Sequence, residues 1–400
     1  MNYSSSPNRA KSIEASGLAS PWSPLRLRVF RNLWVATLVS NIGTWMHDVG
    51  AGWLMTTFTT SPAMVALVQA ATTLPIFLLA IPAGALSDIF DRRRYLIGTL
   101  LWMMAVAAVL GLLTIAGLTN AWSLLALTLG LGAGTAFMLP AMAAVVPELV
   151  PREELHGAIA LNVMGINISR AIGPVLAGVI ISVTGCEVVF IINAVTFLAV
   201  VAVLWRWRRN SLTTGVPVEQ LADAIGAGVR FAVHSRALQA TMVRGVGFIL
   251  FAIVLWALLP LIAKELLGGG PETYGILVGS IGIGAVIGAL ILPWLRRRVS
   301  IDHVIAGATV QYAVAVLITG YLHQLVMASV AMAMCGAAWI AAISSLQVAA
   351  QMSLPNWVRG RGLSVVIAVQ MGAMAAGSIL WGLVAKGAGI RTAGPVRNFV

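Results

Sequence analysis

The sequence predicts an all-α polytopic membrane protein made of two six-helix repeats, with the twelfth helix missing from its 400 residues. Three observations carry that reading. Apolar residues make up 59% of the chain and charged ones only 10%, with a mean hydropathy of +0.94, whereas a soluble domain carries about a quarter of its residues as charges. Apolar runs of roughly 18 residues or more, each long enough for ~30 Å of hydrocarbon, follow one another almost without pause. Finally, GALSDIFDRRR from Gly84 to Arg94 returns without gaps as GALILPWLRRR from Gly288 to Arg298, at an offset of 204. A transmembrane barrel would alternate apolar and polar residues over segments of ~10, and no such period is present.

Taken in order, residues 1–28 are polar, rich in Ser and Pro and without an apolar stretch, so they read as a cytoplasmic tail and not as a cleavable signal. Residues 29–205 hold six apolar runs bounded by charge, Gly, Pro or turn residues: 33–58, 62–87, 95–116, 121–147, 157–184 and 188–205. A polar stretch, 206–236, reads as a cytoplasmic linker in which VEQLADAIGAGVRFAV forms a surface helix. Five more runs, 239–263, 273–295, 301–321, 324–350 and 362–386, fill a C-terminal bundle over 237–390. The offset of 204 places the partner of the sixth run near 392–409, whereas residues 391–400 are short and polar. This predicts an eleven-helix chain, a shortened copy of a twelve-helix parent with reduced stability.

Charge fixes the expected orientation. The net charge of +12 rests on 25 Lys and Arg, and Arg92, Arg93, Arg94, Arg206, Arg208, Arg209, Arg296, Arg297 and Arg298 all fall in short connections on one side. The positive-inside rule makes that side, and the N-terminus, cytoplasmic. The opposite connections carry one basic residue, Lys264. With its basic residues so used, the chain offers none for nucleic acid. No GxxxxGK[ST], HExxH or GxSxG occurs, which argues against an ATP-driven machine and a hydrolase. No cofactor or metal site is expected, and Cys186 and Cys335, in different apolar segments, are read as free thiols.

The repeat extends beyond the block. Pro151 falls on Pro355, Gly173 and Gly178 on Gly377 and Gly382, and Gly43 on Gly247. Two parallel six-helix repeats joined by a cytoplasmic linker resemble the major facilitator superfamily. GALSDIFDRRR is similar to that superfamily's motif between helices 2 and 3, with Asp91 in place of its Gly. The resemblance implies that Gly84 allows close packing, that Asp88 faces the N-terminus of helix 11 near Gly362, and that Arg92, beside Arg93, reaches a carboxylate such as Glu148 to lock a gate. SRAIGPVLAG, with Gly173, Pro174 and Gly178, resembles the helix 5 signature of proton-coupled drug exporters, where Pro and Gly bend the helix and thin one face. Gly130, Gly132 and Gly134 resemble the helix 4 glycine pattern, but without its upstream Arg they are assigned to packing. FRNLWVATLVSNIGTWMHDVGAGWLM is similar to the superfamily branch of the enterobactin exporter and related efflux proteins.

Ionisable residues inside a membrane are costly and therefore candidates for function. Asp48, beside His47, stands roughly 22 Å into helix 1, and Arg170 roughly 20 Å into helix 5, at a rise of about 1.5 Å per residue. A buried carboxyl opposite a cation changes its proton occupancy with small rearrangements, which suits coupling. A permanent structural pair, or Asp48 simply facing a wet periplasmic vestibule, is the alternative. Asn41 and Gln347 are candidate cavity residues. The expected function is proton-coupled export of a small amphipathic molecule by a monomer in the bilayer of a bacterial inner membrane. A superfamily importer, or a sensor or scaffold that keeps the fold without transport, stays open.

Overall fold

Where helices begin follows from the residues that cap them. Asn120 and Ser123 form a capping box: Asn120 Oδ1 accepts the Ser123 amide at 3.0 Å, and Ser123 Oγ accepts that of Asn120 at 2.9 Å. Asp91, which replaces the motif's Gly, accepts the Arg94 amide at 2.9 Å, so it starts its helix as an N-cap whose charge suits that end. Pro62 and Pro271 open their helices, where the missing amide costs nothing.

The computed structural model describes residues 22–207, 229–355 and 358–389, without the side chains of residues 85, 88, 359 and 388. Eleven long helices run through these: α1 (Arg28–Phe58), α2 (Pro62–Ile89), α3 (Arg92–Ile115), α4 (Ala121–Leu149), α5 (Leu155–Thr184), α6 (Cys186–Arg206), α7 (Arg236–Leu261), α8 (Pro271–Arg296), α9 (Ile301–Thr319), α10 (Leu325–Ser353) and α11 (Arg359–Ala388). Ten are long and apolar enough to cross a membrane, and α1 is not among these. Its run is interrupted by Ser40, Asn41, Thr44, His47 and Asp48, yet from 40 to 56 none of its residues is exposed. Protein rather than lipid surrounds it, so polar side chains are tolerated there.

The duplication is visible as geometry. Adding 204 to the bounds of α4 gives those of α10, and adding it to α5 gives α11, residue for residue at both ends. Two seams join α1–α6 to α7–α11, α5 against α8 and α2 against α11, and the repeat exchanges one for the other. Equivalent glycines make them. A Cβ on Gly178 would lie 2.8 Å from the Pro271 carbonyl oxygen and 2.9 Å from Glu272 Cα, and one on Gly382 would lie 2.7 Å from Ala66 Cβ. Gly173 and Gly377 instead seat their helices on α1 and α7 within each set. Gly132 sits against the carbonyls of Ala71 and Thr72, in keeping with a packing role for the α4 glycines.

Both seams lie toward the end of the bundle that is poor in arginine. Toward the Arg-rich end they part: a Cβ on Gly84 of α2, or on Gly360 of α11, would meet nothing within 4 Å. The expectation that Gly84 serves close packing is therefore corrected. The glycines that do bring α2 and α11 together, Gly372 against Phe77 and Gly382 against Ala63 and Ala66, are further along the seam.

Other boundaries moved. The run expected at 239–263 is α7 followed by a π-helical turn, Ile262–Leu266. Of the expected surface helix in the linker, 229–233 is described and is helical; the rest of it, and the tail 391–400, lie outside the described residues. Cys186 and Cys335 are buried free thiols.

Candidate functional site

Where the seams meet, the helices of both sets enclose a cavity of about 300 Å³. Residues of α1, α2, α5, α7, α8, α10 and α11 line it, so neither set could form it alone. Its wall is mostly apolar and carries four aromatic residues, Trp45, Trp256, Tyr274 and Trp339. Trp45 of α1 packs on Trp256 of α7 with ring centres 6.2 Å apart, and Trp256 packs on Trp339 of α10 at 6.0 Å. Tyr274 stacks on Trp53 at 6.5 Å. Gln69, Thr72 and Gln370 add neutral polar groups.

Asp48 and Arg170 both line this cavity, although they are on different helices and 122 positions apart in the chain. No ion pair joins them. Arg170 instead places its guanidinium carbon 5.5 Å from the centre of the Trp45 ring. Its Nε is buried without a hydrogen-bond partner. A permanent structural pair is thus not what this conformation holds.

His47 is a correction. The structure buries it in the α1–α6 interface, its ring centre 4.7 Å from that of Phe190 and neither ring nitrogen hydrogen-bonded. One residue turns a helix by about 100°, and here that turn carries His47 toward α6 and away from the cavity that Asp48 and Val49 line. Asn41 is a second correction. It lies about 10 Å below Asp48 along α1 and borders a separate cavity of about 270 Å³ inside the first set, with Asn162, Trp34 and Met138. Gln347 borders neither. Trp339 and Ile343 of α10 line the central cavity, and Gln347 is the next turn toward the Arg-rich end.

At the Arg-rich end, Arg92 Nη1 stands 2.8 Å from Glu148 Oε1, joining α3 to α4. Arg93 donates to the Leu204 and Trp205 carbonyls at 2.7 and 2.6 Å, closing the end of α6. In the second copy Arg296 donates to Ser344 and Ser345, both at 3.0 Å. The repeat thus keeps a cation at this place, but Met352 stands at the position of Glu148 and the cation turns to hydroxyls instead. The Asp88 side chain lies outside the description, and Gly362 meets Leu354. Because the Arg92–Glu148 pair is partly exposed, Arg92→Ala is expected to cost about 0–1 kcal/mol of stability. Thermal unfolding of the purified chain would measure that.

The Arg-poor end holds a contact between the sets that charge counting alone did not reveal. Lys264, in the π-helical turn, donates from Nζ to the Thr56 carbonyl at 2.6 Å. That carbonyl belongs to the last turn of α1, where carbonyls lack helical partners and a cation is favoured. Lys264→Met is expected to weaken closure there by about 1 kcal/mol, read as roughly fivefold faster labelling of a cavity cysteine by an impermeant maleimide from that side.

Sequence reasoning missed Trp45, Trp256, Trp339, Gln69 and Tyr274 as cavity residues. The available signal was tryptophan in mid-run, since membrane tryptophans favour the interfaces.

The profile of a family described as transmembrane secretion effector matches residues 19–396. Among curated relatives, the staphyloferrin A transporter of Staphylococcus aureus (strain NCTC 8325 / PS 47) is 25% identical over 357 residues, 87% of each chain. The multidrug efflux pump Tap of Mycolicibacterium fortuitum is 27% identical over 379 residues, covering 92% of this chain and 90% of its own. Macrolide efflux protein A of Streptococcus pyogenes is 24% identical, with 74% and 73% covered. Of solved structures, a bacterial homolog of the human lysosomal transporter Spinster, inward-facing and unoccupied, superposes with a TM-score of 0.73 at 15% identity, over 91% of this chain and 83% of its own. A bacterial homologue of the iron transporter ferroportin gives 0.63 at 14%, over 92% and 99%. These structures share the fold.

Proposed function

Since this chain belongs to the transmembrane secretion effector family of major facilitator transporters, we propose that it exports a small amphipathic molecule from the cytoplasm against an inward flow of protons, by alternating access. The observation that carries this reading is the central cavity, built from both sets and closed off toward one end by two glycine-lined seams. A site at the interface of the repeats is reached from either side by rocking one set against the other. The efflux relatives support the outward direction.

In this reading the chain sits in a bacterial inner membrane as a monomer, with the Arg-rich end and the N-terminus in the cytoplasm. Residues 29–205 and 237–390 are the two moving bundles, and 206–236 is the linker between them. Asp48 takes up the coupling proton in the cavity wall. Arg170 lines the same cavity. Asp88, Arg92, Arg93 and Glu148 hold the α2–α3 connection as the cytoplasmic gate, while Gly173, Pro174 and Gly178 shape α5 so that the opposite gate shuts against α8. His47, Asn41 and Gln347 take no direct part in this assignment.

Inverted membrane vesicles test it. Vesicles containing the chain should accumulate a fluorescent dye when energised, and dissipating the proton gradient should release it. Accumulation in right-side-out vesicles alone would make the chain an importer. No gradient-dependent movement in either orientation would leave a non-transporting membrane protein and sink the proposal.

A further inference from the structure

Among the described residues that line the central cavity, Arg170 is the one cation, and no carboxylate pairs with it. Its guanidinium makes no hydrogen bond or ion pair with any described residue, and its Nε is sealed from solvent. Asp48, the carboxylate that shares the cavity, stands beyond ion-pair distance. A guanidinium whose Nε is sealed and unpartnered, with its outer nitrogens turned to a cavity inside a membrane, is expensive and is retained where something supplies the missing charge. Its planar fork matches a carboxylate through two parallel hydrogen bonds.

The surroundings say what must carry that carboxylate. Trp45 lies under the guanidinium, and Trp256 and Trp339 continue the wall at 6.2 and 6.0 Å, which suits a flat apolar body. A cationic aromatic guest would ordinarily seek such rings. Here the Trp45 face is already taken by Arg170, and a second positive charge beside it would be repelled. A volume of about 300 Å³ is at the small end for ligand pockets.

Building on the transport reading above, we propose that the substrate is an amphipathic organic anion, a carboxylate on a planar apolar body, with Arg170 holding the carboxylate and the tryptophan wall holding the body. Gln69 of α2 and Gln370 of α11, on the two helices of one seam, offer amide groups to whatever polar substituents the body bears.

Binding, measured independently of transport, tests this. Three probes share one ring system and differ in charge: naphthaleneacetate, its neutral amide, and naphthylethylamine. Calorimetric titration of each into the purified full-length chain should show the carboxylate bound at least tenfold more tightly than either of the others. Arg170→Gln should lose at least tenfold for the carboxylate and leave the amide unchanged, and Arg170→Lys should keep part of the preference. Should Arg170→Gln fail to fold, the lysine variant and the three-probe ranking in the wild type still decide. Equal binding of the three, preference for the amine, or an unaltered preference in both variants would overturn the assignment. Energised vesicles that expel the amine but not the carboxylate would refute the anion while leaving export standing. Carboxylate-selective binding without any gradient-dependent movement would uphold the anion site and remove export.

Discussion

Asp48→Asn is expected to abolish gradient-driven accumulation, by a hundredfold or more on the order of what loss of an essential proton site produces, while leaving exchange of substrate across the membrane within about threefold. Asp48 lines the cavity between the two sets and is not committed to an ion pair. Asparagine keeps its shape and its hydrogen-bonding capacity but cannot bind and release a proton. The variant should fold at least as well as the wild type, because a carboxylate inside a membrane costs about 2.5–3.5 kcal/mol on insertion scales and an amide costs less. Reconstituted vesicles separate the outcomes, with accumulation driven by an imposed pH gradient in one arm and labelled-for-unlabelled exchange in the other. Full accumulation in the variant would move coupling away from Asp48.

Gly178→Leu carries the next largest effect. At this position α5 meets the backbone of α8, with the Pro271 oxygen and Glu272 Cα 2.8 and 2.9 Å from where a Cβ would stand. Backbone cannot step aside as a flexible side chain can, so the seam itself must part. Overpacking of this kind costs about 1–3 kcal/mol, a shift of roughly five- to 160-fold in the population closed at the Arg-poor end. Transport should fall below a tenth of the wild type. In a chain without Cys186 and Cys335, a cysteine at Val278 on the cavity wall should become reactive to an impermeant maleimide from outside. Gly247→Ala is the control, since a Cβ there meets nothing within 4 Å. Wild-type labelling and transport in Gly178→Leu would show that this seam is not a gate.

Much of the architecture was legible because it is written in one dimension. Long apolar runs leave only helices as a solution where backbone groups find no water. The repeat could be read because duplication preserves spacing, and α10 and α11 reproduce the bounds of α4 and α5 at the offset that the sequence block established. The Arg92–Glu148 contact could be named in advance from the motif it resembles, since the partners are held by adjoining helix ends. Depth along a helix was also accessible: 1.5 Å per residue set Asp48 and Arg170 at one level, and both line one cavity.

What rise per residue does not carry is azimuth. His47 and Asp48 share a depth, but one packs on Phe190 and the other lines the cavity. Asn41 shares a face with Asp48 but borders a different void two turns away. Which face of a helix looks inward depends on how all the helices tilt and cross, and an almost uniformly apolar helix gives little pattern from which to read it. The chain by itself therefore determined the helices, their order, the repeat and the inventory of costly polar groups. Only the tertiary structure decided which of those groups meet, because the tryptophan wall, the unpaired Arg170 and the Lys264 contact each join residues of helices far apart in sequence.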